Sequence, residues 1–212
     1  MSQGRTYGRP RARLETLVDL IFGLSLSIGA VALISASPPA STSDINSRLI
    51  AFLFTASFVI TAWMVYTYLM SVLPLETNFV IYLNLIMLIL IAIIPYLLYN
   101  VEFANSSLSV SNSSLIRDYA SSLFAIDLAA VLTILTIFSH VVSIEEKRLV
   151  APDLAKTFRT SRNVQGVLVV IVLASLTPIF WSLTVFDIPV RLYMWMIPVL
   201  VYWGRRGLQS RR

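Results

Sequence analysis

Apolar residues in this chain come in long blocks, and most polar positions fall between the blocks rather than inside them. The blocks do not alternate with period two, which argues against the strands of a membrane barrel. Their lengths approach or exceed the roughly 17 to 25 residues that a helix needs to cross the hydrocarbon core. The pattern predicts six spans, at 14–34, 47–72, 79–99, 115–142, 164–183 and 189–203. Helix punctuation agrees. The prolines of SASPPASTSD stop the first span, and its serines and aspartate can cap the second. Pro74 closes the second, and Pro95 near the end of the third predicts a kink or a last turn. The polar stretch VEFANSSLSVSNSS separates spans three and four. Span six is short and is expected to tilt little or to sit in a locally thin bilayer.

Composition carries the same message. The 212 residues are 57% hydrophobic and only 13% charged, against about 25% charged in soluble domains. The predicted fold is therefore all-α, a polytopic membrane protein with six transmembrane helices. It divides into a basic N-terminal arm (1–13), a transmembrane domain (14–203) and a basic tail (204–212). The first apolar run follows a basic arm, as a signal peptide would. Its length and the Ser-Pro-Pro stretch after it match a true span better than a cleavage site. With no cysteine, disulfides, thiolate catalysis and cysteine-ligated metal are excluded.

Placing alternate loops on opposite sides gives a charge test. The arm, the 142–163 segment and the tail together hold all of the 16 basic residues except Arg48, Arg117 and Arg191. Positive residues stay on the cytoplasmic side, so both termini are expected there, in a cell membrane. The net charge of +5 then reflects orientation and gives no reason to expect nucleic acid as a partner. No internal duplication is visible, which leaves the two-repeat transporter pattern without support.

Span one holds the most informative pattern. Leu24, Ile28 and Val31 fall at i, i+4 and i+7 on one helix face, with Gly23 and Ser27 beside them. Several copies around an axis would stack this stripe into apolar rings that set a constriction. The same stripe also suits packing against a neighbouring helix. Asp19 lies deeper than Arg13 and Glu15, where an unpaired carboxylate is costly. Arg13 is the nearest candidate partner, although its offset of six residues suits an intrahelical pair poorly. Donors from another helix, through Trp63 or Asn84, are the other possibility.

These residues resemble a known family. Arg13-Leu14-Glu15-Thr16-Leu17-Val18-Asp19, followed by Ile21-Phe22-Gly23-Leu24, is similar to the first span of the TMEM175-like potassium channels of bacteria and archaea. That family carries an arginine six residues before the aspartate of a Phe-Ser-Asp signature. SFVITAWMVY, with Ser57, Phe58 and Trp63, resembles its second span, and LNLIMLILIAIIPY, with Leu83, Asn84, Pro95 and Tyr96, its third. The resemblance covers residues 11–99, and beyond them only span count and the basic segment before span five. It implies six spans per subunit, a homotetramer, a pathway lined by the first helices, and potassium as the permeant ion with no cofactor. Its constriction positions, counted from the aspartate, are Leu24, Ile28 and Val31. The chain departs from the family at Leu17 and Val18, which replace the Phe and Ser, and at Met64 to Thr67, where histidines are typical. The polar network joining spans one to three is thus expected to be rearranged.

Outside that region Asp127 lies deep in span four. An intramembrane acid is a candidate for a permeation or coupling site, or for a structural hydrogen bond within the bundle. His140 is the only histidine and by itself cannot assemble a zinc site. It fits a helix-end cap, or a pH-sensitive group. No hydrolase serine context or glycine-rich phosphate cradle occurs, so enzymatic activity is not expected. The segment EEKRLVAPDLAKTFRTSR reads as a solvated loop with a short helix, or as a surface-lying amphipathic piece against membrane lipids. Trp181, Trp195 and Trp203 sit near span ends, where indoles anchor at head-group level. The sequence thus favours an oligomeric cation channel. A small proton- or cation-coupled carrier using Asp19 or Asp127, and a non-conducting scaffold, are the rival readings.

Overall fold

The structure, a computed structural model of the chain, describes residues 8–35, 38, 41–73, 77–103, 110–144, 152–185 and 188–209. In chain order its helices are α1 (Gly8–Ser35), α2 (Thr42–Met70), α3 (Asn78–Phe103), α4 (Val110–Ser143), α5 (Pro152–Ala174), the single turn α6 (Ile179–Ser182) and α7 (Val190–Gln209). The strands β1 (Thr184–Val185) and β2 (Ile188–Pro189) form a small antiparallel hairpin between α6 and α7. Thr42–Met70, Asn78–Val101 and Ile116–Ser143 are long and apolar enough to cross a bilayer, and α1 contributes the shorter apolar stretch Thr16–Val31. The protein is an all-α, multi-pass membrane protein.

The second, third and fourth spans lie where the sequence pattern places them. Ser41 is the N-cap of α2, its hydroxyl accepting from the Asp44 amide at 3.1 Å. Helix α3 runs through Pro95 to Phe103, so the proline does not end it. The fifth element differs most from expectation. Instead of 164–183, α5 starts at Pro152 and stops at Ala174. Proline at a first helical position has no amide to waste, and Pro178 disfavours helix at the residue before it. The basic segment 152–163, expected to be a loop with a short helix, is therefore the first half of α5, and 145–151 lie outside the described residues. The basic arm is likewise helical from Gly8 onward.

Helix α4 lies against α3 and α5, while α1 packs on α2 and α3, and α7 on α5 and α2. The centre is aromatic. Phe124 of α4 meets Phe58 of α2 edge-on at 5.5 Å and Trp195 of α7 at 4.7 Å, the edge-to-face geometry that aromatic quadrupoles favour. Phe54 extends the series onto Phe58 at 5.0 Å. Trp195 is wholly buried and donates its indole N–H to Ser175 Oγ at 2.9 Å. It is an interior packing residue, not the head-group anchor that its place near a span end implied, because α7 lays that face on α4 and α5. In the first turn of α7, Arg191 reaches Asp118 of α4 at 3.4 Å and lies under the Trp181 ring at 5.5 Å from its centroid.

Hydroxyls within the apolar helices are satisfied locally. Thr55, Thr133 and Thr136 each donate to the carbonyl four residues back, at 3.1, 2.7 and 2.7 Å. A hydroxyl bonded in this way needs no water in hydrocarbon. Between α4 and α5 a buried side-chain bond does the same, Ser139 Oγ donating to Gln165 Oε1 at 2.9 Å.

Replacing Trp195 by alanine removes both the ring contact and the N–H donor, and is expected to cost about 3–5 kcal/mol. Trp195→Phe keeps most of the packing and should cost about 1 kcal/mol. Denaturant unfolding of the purified protein in micelles measures both, and equal losses would rule out a packing role for the ring.

Candidate functional site

Helix α1 has two unlike faces. Val18, Phe22 and Ser25 are buried, with Val18 and Phe22 in the core cluster. On roughly the opposite side Leu24, Ile28 and Val31 are 51%, 42% and 56% exposed in the single chain, and Leu17 and Leu20 continue that surface towards the N-terminus. The stripe is therefore about half exposed in the single chain. The intrasubunit contacts of α1 run along its other side, where Phe22 meets Tyr66 at 6.1 Å between centroids.

Small residues shape the exposed face. A side chain at Gly23 would meet nothing within 4 Å, so packing inside the chain does not demand glycine there. At Gly29 an added Cβ would touch the Phe52 ring at 3.7 Å, an ordinary contact that marks where α1 and α2 approach. Ser27 is exposed beside the stripe, and its hydroxyl donates to Gly23 O at 2.9 Å. With its proton committed to the helix, the lone pairs of Ser27 Oγ are left to face outward.

The structure brings Asp19 and Trp63 together. The Trp63 indole N–H donates to Asp19 Oδ1 at 2.9 Å, from α2 to α1, near the bundle surface. Asn84 does not join them. It is fully buried in α3, and among the described residues neither its amide oxygen nor its amide nitrogen has a hydrogen-bond partner. The side chain of Arg13 lies outside the described residues, although its backbone belongs to α1.

Asp127 is buried in α4, and its Oδ2 is enclosed with no hydrogen-bond partner among the described residues. His140 is held from α5, since Arg162 Nη1 lies 3.1 Å from its Nδ1. A guanidinium can only donate, so Nδ1 is the acceptor in this pair. Among the described residues no three His, Asp or Glu side chains gather as a metal set.

A feature with no counterpart in the sequence pattern is a cavity of about 600 Å³ between α2, α4, α5 and α7, with Trp63, Tyr68, Leu132, Ser161, Tyr202 and Arg205 among its lining residues. Four helices distant in sequence contribute to it.

The Asp19–Trp63 bond can be isolated by a double-mutant cycle of Asp19→Ala and Trp63→Phe. A hydrogen bond to a carboxylate at a half-exposed site should give a coupling of about 1 kcal/mol in unfolding free energy. Strict additivity of the two losses would mean that the pair does not tie α1 to α2.

No family model matches this sequence, and no curated protein matches it. Among solved structures, the chain matches the crystal structure of a lysosomal potassium-selective channel TMEM175 homolog from Chamaesiphon minutus, with a TM-score of 0.60. The match covers 92% of this chain and 97% of that one, at 12% sequence identity. Identity at that level speaks for architecture alone, and it spans the helices beyond residue 99 as well as those before. The chain thus has, at a long distance in sequence, the fold of a TMEM175-type potassium channel.

Proposed function

We propose that the protein is an oligomeric, potassium-permeable cation channel in which α1 lines a shared pathway and Leu24, Ile28 and Val31 form its constrictions. The observation that carries this reading is the exposure of an aliphatic, i, i+4, i+7 stripe on a helix whose opposite face is anchored in the core. The fold it shares with a potassium-selective channel homolog supports it. In this reading α1 to α5 and α7 are six spans, both termini are cytoplasmic, and several copies, four by analogy with the family, surround the axis.

No covalent chemistry is involved. A cation moves down its gradient and is partly dehydrated between rings of Leu24, Ile28 and Val31. Such rings offer no charge, and act through diameter and through the cost of wetting a narrow apolar passage. Ser27 Oγ, with lone pairs free, offsets some of the lost hydration. The Trp63–Asp19 bond keeps α1 in register so that the stripes of different copies meet at the same height.

A second reading, a small proton- or cation-coupled carrier, draws support from Asp127, whose enclosed and unpartnered oxygen suits a group that binds and releases a small cation. Reconstitution separates the two. The channel reading expects unitary currents whose reversal potential follows imposed potassium and sodium gradients, whereas a carrier gives saturable, coupled flux.

Leu24→Ala and Ile28→Ala each widen a ring, and are expected to raise conductance or lower potassium-over-sodium selectivity without changing assembly. Unaltered currents in both variants would exclude the stripe from the pathway. Asp127→Asn should leave channel currents intact, and abolished transport with normal assembly would favour the carrier instead.

A further inference from the structure

The cavity between α2, α4, α5 and α7 has the build of a lipid site. Its floor is α4, where Leu128, Leu132 and Leu135 present only hydrocarbon. Its walls are the second half of α2, the first half of α5 and the last turns of α7, which meet at one end of the bundle. Tyr68 of α2 and Phe158 of α5 stack at 5.2 Å. This pair bridges α2 and α5 while the space beside it stays open.

The chemistry changes from apolar to cationic along the cavity. Arg205 and Arg206 line it together with Tyr202 and Ser161, and no acidic residue does among the described residues. Arg206 Nη1 donates to Tyr202 Oη at 3.0 Å, and no carboxylate pairs with either arginine among the described residues. Lys156 and Arg159 sit in the first half of α5 at the same end, which adds to the positive potential there. The part of the cavity over Leu128, Leu132 and Leu135 offers water no hydrogen-bond partner. In a bilayer the surrounding medium is acyl chains, and a volume of about 600 Å³ lies within the range of about 300–1,000 Å³ typical of small-molecule sites.

We propose that this cavity binds an anionic membrane phospholipid, one acyl chain lying along the α4 floor and the phosphate resting between Arg205 and Arg206. Guanidinium forks match phosphate oxygens with paired hydrogen bonds, and the nearby hydroxyls of Tyr202 and Ser161 add donors. The occupant would also touch Trp63, which lines the cavity and bonds to Asp19 of α1. Lipid binding is thereby connected to the helix that carries the exposed stripe. The proposal goes beyond the channel reading and does not require it.

The test uses the purified full-length protein in detergent, with phosphatidylglycerol and phosphatidylcholine of identical acyl chains as probes and native mass spectrometry as readout. Both lipids carry a phosphodiester, but the choline cation of phosphatidylcholine is repelled by the two arginines, so phosphatidylglycerol should be retained about tenfold better. Arg205→Ala with Arg206→Ala should bring the ratio close to one. The exposed pair Lys156→Ala with Arg159→Ala removes the same charge and should leave the preference largely intact. Because the chain has no cysteine, Ser161→Cys provides a single thiol whose maleimide labelling should slow when phosphatidylglycerol is added. Equal retention of the two lipids, or equal effects of the two double variants, would overturn the proposal. So would protection of Ser161→Cys by glycerol phosphate alone, which would identify free phosphate as the ligand. A thiol that is unreactive without lipid and reacts only when the oligomer dissociates would show that a second copy fills the cavity.

Discussion

The contact of Phe124 with Phe58 and Trp195 organises the bundle. One ring in the middle of α4 takes an edge-on partner from α2 and another from α7, which fixes the distances of both helices from the central one. In hydrocarbon there is little hydrophobic drive for helix to meet helix, so packing geometry and hydrogen bonds must supply the cohesion. Interlocked aromatic edges supply the first. Trp195 to Ser175 and Ser139 to Gln165 supply the second. Once α2 and α7 are set by this cluster, the gap below it between α2 and α5 follows.

The same arrangement leaves α1 at the side of the bundle. It leans on α2 and α3, and its core-facing residues Val18 and Phe22 are buried. Val18 stands where the family signature has serine. A serine in that apolar surround would need a hydrogen-bond partner, whereas valine needs only contact. The departure from the signature is therefore consistent with the packing around it. Leu17, in the place of the signature's phenylalanine, is exposed and outside the core cluster. Of the signature, the aspartate stays, and it keeps a donor from α2. That hydrogen bond crosses the α1–α2 seam between otherwise apolar core residues such as Phe22 and Val18.

How much of this was legible in the sequence varied with the range of the cause. Spans two, three and four and the cap at Ser41 follow from local hydropathy and from serine chemistry, and the structure places them where the pattern does. The start of α5 was misread, because charges at Lys156, Arg159 and Arg162 interrupt an apolar pattern without interrupting a helix. A charged turn that extends beyond hydrocarbon looks like a loop to any hydropathy argument. Trp195 was misread for a related reason. Position near a span end says nothing about which way the ring points, and here it points into the core.

The sequence by itself determined the solvent of the protein and the two faces of α1, because both depend on local composition and on the helical repeat. Only the tertiary structure decided which face α1 turns inward, that Trp63 rather than Asn84 reaches Asp19, and that residues from four helices enclose one cationic cavity. Those outcomes depend on contacts between segments far apart along the chain, and a linear pattern records which residues are available without recording which of them meet.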